Sequence, residues 1–298
     1  ADRSRGRAGI HIRPRFMVWE NVCRHYSEMG IKGFKVDFMD RDDQAMVDFH
    51  RRAAEMAAKY HLLIDFHGTY KPAGLNRTWP NVINYEGVHG LEQMKWSDSS
   101  VDQVTYDVTV PFIRMAAGPM DYTQGAMRNA TKKNYRPVNS EAMSQGTRCR
   151  QLAEYVVFES PLNMLCDSPS NYMSEPLCTK FIADCPVVWD ESIDLNGEIG
   201  KYITLARRSG EAWYVGAMTG HLHLPHSLRR RHQLTIHIRY ADTVRIHYRQ
   251  VLHTTPHKSF RTPAADTPDT EKNHPHLRQR LHHIRSQQKL SPVKYRFL

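Results

Sequence analysis

Residues 16–85 alternate between helix-type and strand-type patterns, and this alternation constrains the fold more than any other feature of the sequence. Apolar residues recur at helical spacing from Met17 to Met29. Apolar runs predict strands over residues 31–39, 62–66 and 82–85, the first buried on both faces. Between the first two strands runs a helix that Asp42 or Asp43 caps. The order strand, helix, strand is typical of parallel sheets with right-handed crossovers and predicts an α/β fold.

Polar side chains stand where the predicted strands end. With two further strand ends at 119–122 and 162–167, the series reads Asp37, His67, Glu86, Asp121 and Asp167. In a (β/α)8 barrel all such ends converge on one face, where active sites lie. A doubly wound open sheet would also gather some of them, but no glycine-rich phosphate motif is present. A partial (β/α)8 TIM-type barrel over residues 16–185 is therefore the predicted architecture.

The pattern changes to β after the predicted barrel. Residues 186–219 contain short apolar runs, two of which are joined by the turn Ser209-Gly210-Glu211, a hairpin signal. They are predicted to be the start of a C-terminal β-domain, a short β-rich segment. Residues 234–240 are compatible with one more strand, although no apolar pattern accumulates around them.

The basic charge is concentrated at the C-terminal end. Residues 221–298 contain 15 Lys and Arg, 4 Asp and Glu, and 12 of the 18 His, whereas residues 1–220 contain 26 basic and 27 acidic groups. The net charge of +10 is therefore poor evidence for a nucleic-acid-binding protein. We expect a disordered or out-of-frame tail over 220–298 and an aberrant Arg-rich segment over 1–15. No apolar run is long enough for a membrane span, and no signal peptide is recognisable.

Asp37 lies in an otherwise apolar run at a predicted strand end. One interpretation is a buried structural carboxylate that backbone donors satisfy. The other is a functional group, because an ionised carboxylate in an apolar site is costly without partners and such groups concentrate at functional sites. We favour the functional interpretation. Carboxylates at strand ends are typical of glycoside hydrolysis, in which one acts as acid and another as nucleophile or base.

Glu86 and Glu92 follow the third predicted strand, six residues apart across Gly87 and Gly90. From spacing alone, two ordinary carboxylates on a solvated loop are the stronger interpretation. Both residues could also ligate a hard cation such as Ca2+, which prefers several carboxylate oxygens.

Four more residues are candidates for substrate binding. His67 and Lys71 follow the second predicted strand and could bind sugar hydroxyls, and a structural role fits them about equally well. Asp121 and Tyr122 stand at the fourth strand end. Tyr122 could stack on a sugar ring, although aromatic side chains more often belong to the core.

Five segments of the sequence resemble glycoside hydrolase family 97. They are GIKGFKVDFMDRDDQ at 30–44, DFHGTYKP at 65–72, RTWPNVINYEGVHGLE at 77–92, PMDYT at 119–123 and ARRSGEAWYVG at 206–216. The resemblance extends from about Phe16 to Thr219. It implies an α-glucosidase or α-galactosidase, typically calcium-dependent, built from a β-sandwich, a (β/α)8 barrel and a C-terminal β-domain.

The resemblance also implies roles for individual residues. Glu92 matches the general acid, and Asp37 matches the nucleophile of the retaining branch. Glu86 and Glu92 match carboxylates near the calcium ion. The inverting branch places a base glutamate after the strand that here ends at 66–69, where no carboxylate stands, and this favours the retaining branch. The implied substrate is an oligosaccharide with terminal α-linked galactose or glucose, and the implied location is periplasmic or secreted. The sequence decides neither the sugar nor the oligomeric state.

Only about five of the eight strands that a (β/α)8 barrel requires are found in the sequence. Our hypothesis is that both ends are translated from a shifted reading frame, or misjoined, around a genuine catalytic core, so that activity is impaired. The alternatives are a non-catalytic sugar-binding remnant and a protein whose basic tail binds nucleic acid or other polyanions. The tail lacks interleaved aromatic residues and any recognised nucleic-acid motif, so nucleic acid is not an expected partner.

Overall fold

The computed structural model describes residues 12–98, 100–221 and 234–239, with the backbone alone for 12–17 and 234–239. These residues belong to two compact units. The first comprises the chain up to Val88 together with Ala117–Asp121, and the second comprises His89–Ala116 and the chain from Tyr122 onward. We describe each unit by itself. The predicted Arg-rich segment and basic tail lie largely outside the described residues.

The first unit is a parallel sheet with helices between its strands. In chain order its elements are α1 (Ile12–Glu28), β1 (Gly33–Val36), α2 (Gln44–Lys59), β2 (Leu63–Phe66), the single-turn α3 (Leu75–Thr78) and β3 (Val82–Tyr85). The strand order is β1-β2-β3, and both pairs are parallel. The predicted α/β alternation is confirmed for this unit.

Helix α2 begins at a side-chain cap and packs one apolar face on the sheet. The carboxylate of Asp43 accepts the N–H of Met46 at 3.1 Å, which satisfies one of the unpaired donors of the first turn. Asp43 is therefore the cap, not Asp42. Small residues along the helix, Ala53 and Ala57 among them, are fully buried in the same cluster as Ile64 and Phe66 of the sheet.

The first strand is shorter and less buried than predicted. Residues 31–39 were expected to form one strand buried on both faces, but β1 ends at Val36 and its side chains are only half-buried. The reason is its place in the sheet, because among the described residues β1 is an edge strand that pairs with β2 alone. The chain then turns away at Phe38, which has φ of +65° and a side chain that is 85% exposed.

Two predicted strand ends, at 119–122 and 162–167, are not strands. The first still runs beside the sheet, because the N–H of Asp121 donates to the carbonyl of Tyr85 at the end of β3. The second is a turn held by Asp167, whose carboxylate accepts the N–H of Met127 and the side-chain amide of Asn171. The apolar run before Asp167 predicted a strand, but no strand in the described part of the chain pairs with it.

The second unit is mixed and ends in a β-sheet. A 3-10 turn (Leu91–Lys95) is followed by α4 (Gln103–Asp107), α5 (Val110–Ile113), β4 (Asn129–Ala130), β5 (Ser144–Gln145), α6 (Arg148–Val157), α7 (Pro169–Ser174), α8 (Pro176–Asp184), β6 (Glu191–Glu198), β7 (Tyr202–Ser209), β8 (Ala212–Thr219) and β9 (Leu234–Arg239). Strands β6-β7-β8-β9 form an antiparallel sheet in that order. The predicted β-rich segment and its hairpin are confirmed.

Helix α6 lies close against the second sheet at Gly216 of β8. A Cβ on that glycine would stand 2.9 Å from the carbonyl oxygen of Ala153 and from Val156, so a side chain would separate helix from sheet. In the described part of the chain, the first sheet has three strands and does not close into a barrel. Among the same residues, no helix combines the length and apolarity needed to cross a membrane.

Candidate active site at the edge of the parallel sheet

Each strand of the parallel sheet is followed directly by a residue with reactive chemistry. Asp37 follows β1, His67 follows β2 and Glu86 follows β3. Because parallel strands end on the same edge, the structure brings these three residues to one edge of the first unit, the edge at which α/β proteins bind ligands.

Asp37 is an exposed residue whose carboxylate packs closely against Gly68. Its Oδ1 accepts the N–H of Phe38 at 2.6 Å. A Cβ on Gly68 would lie 2.9 Å from that oxygen, and Gly68 has φ of +61°. A glycine at position 68 therefore makes room for the carboxylate in a backbone conformation that side chains rarely adopt. The interpretation of Asp37 as a buried structural carboxylate is wrong, because β1 ends before it.

His67 is held between two carboxylates. Its Nδ1 is 2.6 Å from Oδ2 of Asp121, and its Nε2 is 3.4 Å from Oε1 of Glu86. The other oxygen of Glu86, Oε2, accepts the N–H of Gly68 at 2.7 Å. All three side chains are buried, so the imidazole ring has one fixed orientation.

A row of polar residues crosses the sheet just before this edge. Lys35 on β1 is in register with Asp65 on β2, which is in register with Asn84 on β3. The ammonium of Lys35 lies 2.7 Å from Oδ2 of Asp121. Our sequence analysis missed Lys35 and Asp65. Alternation of apolar and polar residues in the triplets FKV, IDF and INY could have found them, because residues two apart share a face.

The pKa values of Asp65 and Asp121 are shifted in opposite directions. Burial and, after it, the nearby Asp121 raise the pKa of Asp65, against the attraction of Lys35 and His67. Burial also acts to raise the pKa of Asp121, but hydrogen bonds from His67 and Lys35 outweigh it and leave that pKa below its usual value. One carboxyl of the two therefore favours the neutral form.

The other predicted site residues lie outside this cluster. Lys71 is exposed on the loop after His67, and its backbone N would be 2.3 Å from a Cβ on Gly87. Tyr122 belongs to the second unit, where it is buried and its hydroxyl donates to Asp107. Glu92 is half-buried in the 3-10 turn of the second unit. The predicted sugar contacts of Lys71, Asp121 and Tyr122 stay predictions.

The donor chemistry of the predicted calcium ligands fits a hard cation. Glu86 offers a buried carboxylate oxygen beside the sheet edge, and Glu92 offers a second carboxylate from the other unit. Calcium takes about six to eight oxygen ligands, so these two carboxylates would form only part of its shell. The nitrogen of His67 does not suit this cation. The calcium ion stays a prediction.

An exposed carboxylate, an oriented imidazole and a second, buried carboxylate at one edge of a parallel sheet make that edge a candidate active site. Comparison with known proteins supplies the family. Residues 12–88 match the family described as "Glycoside hydrolase 97", and residues 188–250 match "Glycosyl-hydrolase 97 C-terminal, oligomerisation". These two matches support the fragment of glycoside hydrolase family 97 that the motifs predicted. The second match extends past residue 220 and includes β9.

Two curated relatives are named for one activity. The chain is 72% identical over 212 residues to the retaining alpha-galactosidase of Bacteroides thetaiotaomicron, a match that covers 71% of this chain and 32% of the relative. It is 35% identical over 187 residues to a probable retaining alpha-galactosidase of Streptomyces bingchenggensis, covering 63% and 27%. The chain thus spans about a third of the length of these relatives.

A solved structure agrees with the family. A glycoside hydrolase family 97 enzyme from Pseudoalteromonas sp. strain K8, in complex with acarbose, superposes with a TM-score of 0.57 at 30% sequence identity. This match covers 69% of the present chain and 34% of the solved one.

Proposed function

We propose that this chain carries the catalytic residues of a retaining α-galactosidase. The observation that carries the proposal is the 72% identity to a relative named for that activity. The exposure of Asp37 supports the proposal, because a nucleophile must reach the substrate. Asp37 lies at the edge of the parallel sheet against Gly68. Residues 66–69 include no carboxylate, so the base glutamate of the inverting branch has no counterpart there.

In the proposed reaction Asp37 is the nucleophile and Glu92 is the general acid and base. A carboxylate oxygen of Asp37 attacks the anomeric carbon, while Glu92 protonates the glycosidic oxygen and the bond to the leaving group breaks. Glu92 then takes a proton from water, which attacks the anomeric carbon and releases Asp37. This mechanism requires the two carboxyl groups to lie about 5–5.5 Å apart. The two residues belong to different units, so their separation is part of the proposal.

The remaining predicted residues would recognise and orient the sugar. His67 has the fixed ring that recognition of a hydroxyl requires, and Lys71 is exposed nearby in sequence. Asp121 and Tyr122 complete the proposed set. Glu86 and Glu92 would hold Ca2+, which when bound supplies positive charge to the substrate oxygens. The preferred glycoside is the galactoside rather than the glucoside, because both curated relatives are named for α-galactosides.

The architecture around this site belongs to the proposal as well. We take β1, β2 and β3 to be part of a (β/α)8 barrel whose other strands are not among the described residues. The β-rich segment would mediate self-association, as the description of the matched C-terminal family suggests. For the family, the implied location is periplasmic or secreted. No observation on the described residues favours the alternative of a polyanion-binding tail.

The experiment uses an aryl α-galactoside with a good leaving group. The full chain is assayed alone, and its matching segment is also exchanged into the Bacteroides relative, where the rest of the enzyme is present. We expect little turnover by the chain alone and clear turnover by the chimera. Failure of a folded chimera would contradict the proposal, and so would chain-alone turnover that survives replacement of Asp37.

Azide then separates the two catalytic roles. In the chimera, Asp37→Ala should lose turnover and regain it with azide, giving the β-galactosyl azide, because azide attacks in place of the missing carboxylate. Glu92→Ala should keep its first step on the activated substrate and give the α-galactosyl azide. Asp42→Asn, an exposed carboxylate on the same loop as Asp37, is the matched control and should behave as the unsubstituted chimera. The same azide product from both variants would refute the assignment.

A further inference from the structure

Three buried carboxylate oxygens of the first unit accept no hydrogen bond from any described residue. They are both oxygens of Asp65 and Oδ1 of Asp121. Each of these two residues is only 1% exposed, and their carboxyl groups lie within hydrogen-bonding contact of each other. Two ionised carboxylates can only accept, so a hydrogen bond between them requires a proton on one of them.

We infer that Asp65 is a neutral carboxylic acid whose O–H donates to Oδ1 of Asp121, and that it is thereby a positioning residue for the proposed sugar site. Oδ2 of Asp121 already bonds Lys35 and His67. With Oδ1 engaged by Asp65, both oxygens of Asp121 are hydrogen-bonded, which fixes the orientation of its carboxylate. Asp65 thus acts on the sugar through Asp121 and does not touch it.

The charges around Asp65 support one proton for the pair. Lys35 faces it from β1, the neutral Asn84 from β3 and Asp121 from the 117–121 segment, and His67 lies just beyond the end of β2. The single fixed cation of this set balances one negative charge and not two. Burial and the charge of Asp121 both raise the pKa of Asp65, which agrees with the geometry.

The pair has a consequence for sugar recognition that rests on the proposed function. A fixed, singly charged Asp121 holds the proton of His67 on Nδ1 and leaves Nε2 on the side of Glu86. It also anchors the ammonium of Lys35 through one of its three donors, so that the others can reach a hydroxyl. Asp65 would therefore tune galactose binding without contacting galactose.

Infrared difference spectroscopy on the full chain tests the inference directly. The spectrum of Asp65→Asn is subtracted from that of the unsubstituted chain at neutral pH, with Asp42→Asn as the control for loss of an exposed carboxylate. We expect the carbonyl stretch of one protonated carboxylic acid to disappear only in Asp65→Asn. A difference spectrum identical to that of the control overturns the inference.

If Asp65→Asn fails to fold, Asp121→Asn takes its place, because the new amide would donate to Asp65 and ionise it. Persistence of the carbonyl band in Asp121→Asn would then overturn the inference.

Galactose titration separates the inference from the proposed function. Asparagine at 65 keeps a donor toward Asp121, whereas leucine does not, so we expect Asp65→Asn to bind galactose as the unsubstituted chain does and Asp65→Leu to bind about tenfold more weakly. Equal weakening by both substitutions contradicts the positioning role. If the unsubstituted chain binds no galactose, the proposed function fails for this chain, and the infrared result still decides whether Asp65 carries the proton.

Discussion

Each of the two units buries a pair of carboxyl groups beside a cation, and the pairs differ in what surrounds them. In the first unit Asp65 and Asp121 lie beside Lys35, whose side chain is 23% exposed. In the second unit Asp107 and Glu154 lie beside Arg150, and all three side chains are 0% exposed. The chemistry of the two clusters is similar, but only the first borders residues that follow the strands of a parallel sheet.

The cation of the second cluster is fully buried and hydrogen-bonded to backbone carbonyls. Arg150 donates to the carbonyls of Val104 and Thr219 as well as to Asp107, so its guanidinium ties α6 to α4 and β8. Burial raises the pKa of Asp107 and, together with the charge of Asp107, that of Glu154. In the first cluster the cation instead has its remaining donors available. A perturbed buried carboxyl therefore marks a functional site only where its partners reach an accessible edge.

The largest predicted effect is removal of the sealed cation. Arg150→Met should lower the free energy of unfolding of the full chain by about 3–5 kcal/mol, because it leaves buried carboxyl groups without their partner. Urea unfolding followed by circular dichroism measures the change. Arg51→Met, which removes a surface pair with Glu55, should cost about 0–1 kcal/mol. A loss for Arg150→Met no greater than that of this control would show that the cluster does not stabilise the unit.

Removal of the cation from the first cluster should have a smaller effect. Lys35→Met removes a charged hydrogen bond to Asp121 at a position that water partly reaches. We therefore expect the free energy of unfolding to fall by about 1.5–3 kcal/mol. The same urea series measures it beside Arg150→Met. If Lys35→Met costs more than Arg150→Met, the contrast between an open and a sealed cluster is wrong.

A single methyl group at position 68 would fill the space beside the carboxylate of Asp37. Gly68→Ala would place Cβ 2.9 Å from Oδ1 of Asp37, whereas Gly210→Ala meets no atom within 4 Å, and the two glycines have φ of +61° and +58°. The conformational cost is thus similar in the two variants, and overpacking should destabilise Gly68→Ala by about 1–3 kcal/mol more. Thermal unfolding of both variants gives the difference. Equal melting temperatures would mean that Asp37 is not held against Gly68.

The effect with a pH signature belongs to Asp65→Asn. The folded-state pKa of Asp65 is raised, so its contribution to stability is fully present below its unfolded-state pKa and is lost as the pH rises through the folded-state pKa. The unsubstituted chain should therefore lose stability relative to Asp65→Asn over that range, by at most about 1.4 kcal/mol per pH unit. Unfolding curves at several pH values measure this difference, and a difference independent of pH would contradict the shift.

Much of the first unit could be predicted from the sequence because its signals are local. The helical spacing in α2, its cap at Asp43 and the apolar runs of β2 and β3 depend on neighbours in the chain. The segments at 119–122 and 162–167 were predicted wrongly as strands. A strand requires a partner, and apolar content alone does not say whether one lies beside it.

The sequence by itself determined which reactive residues stand at strand ends, Asp37, His67 and Glu86, because strand boundaries and residue types are written in order along the chain. The tertiary structure alone decided that His67 bonds Asp121, that Lys35 and Asp65 face the same aspartate, and that Gly68 gives space to Asp37. Those contacts join residues up to 86 positions apart, from Lys35 to Asp121, and they arise only when parallel pairing fixes the register.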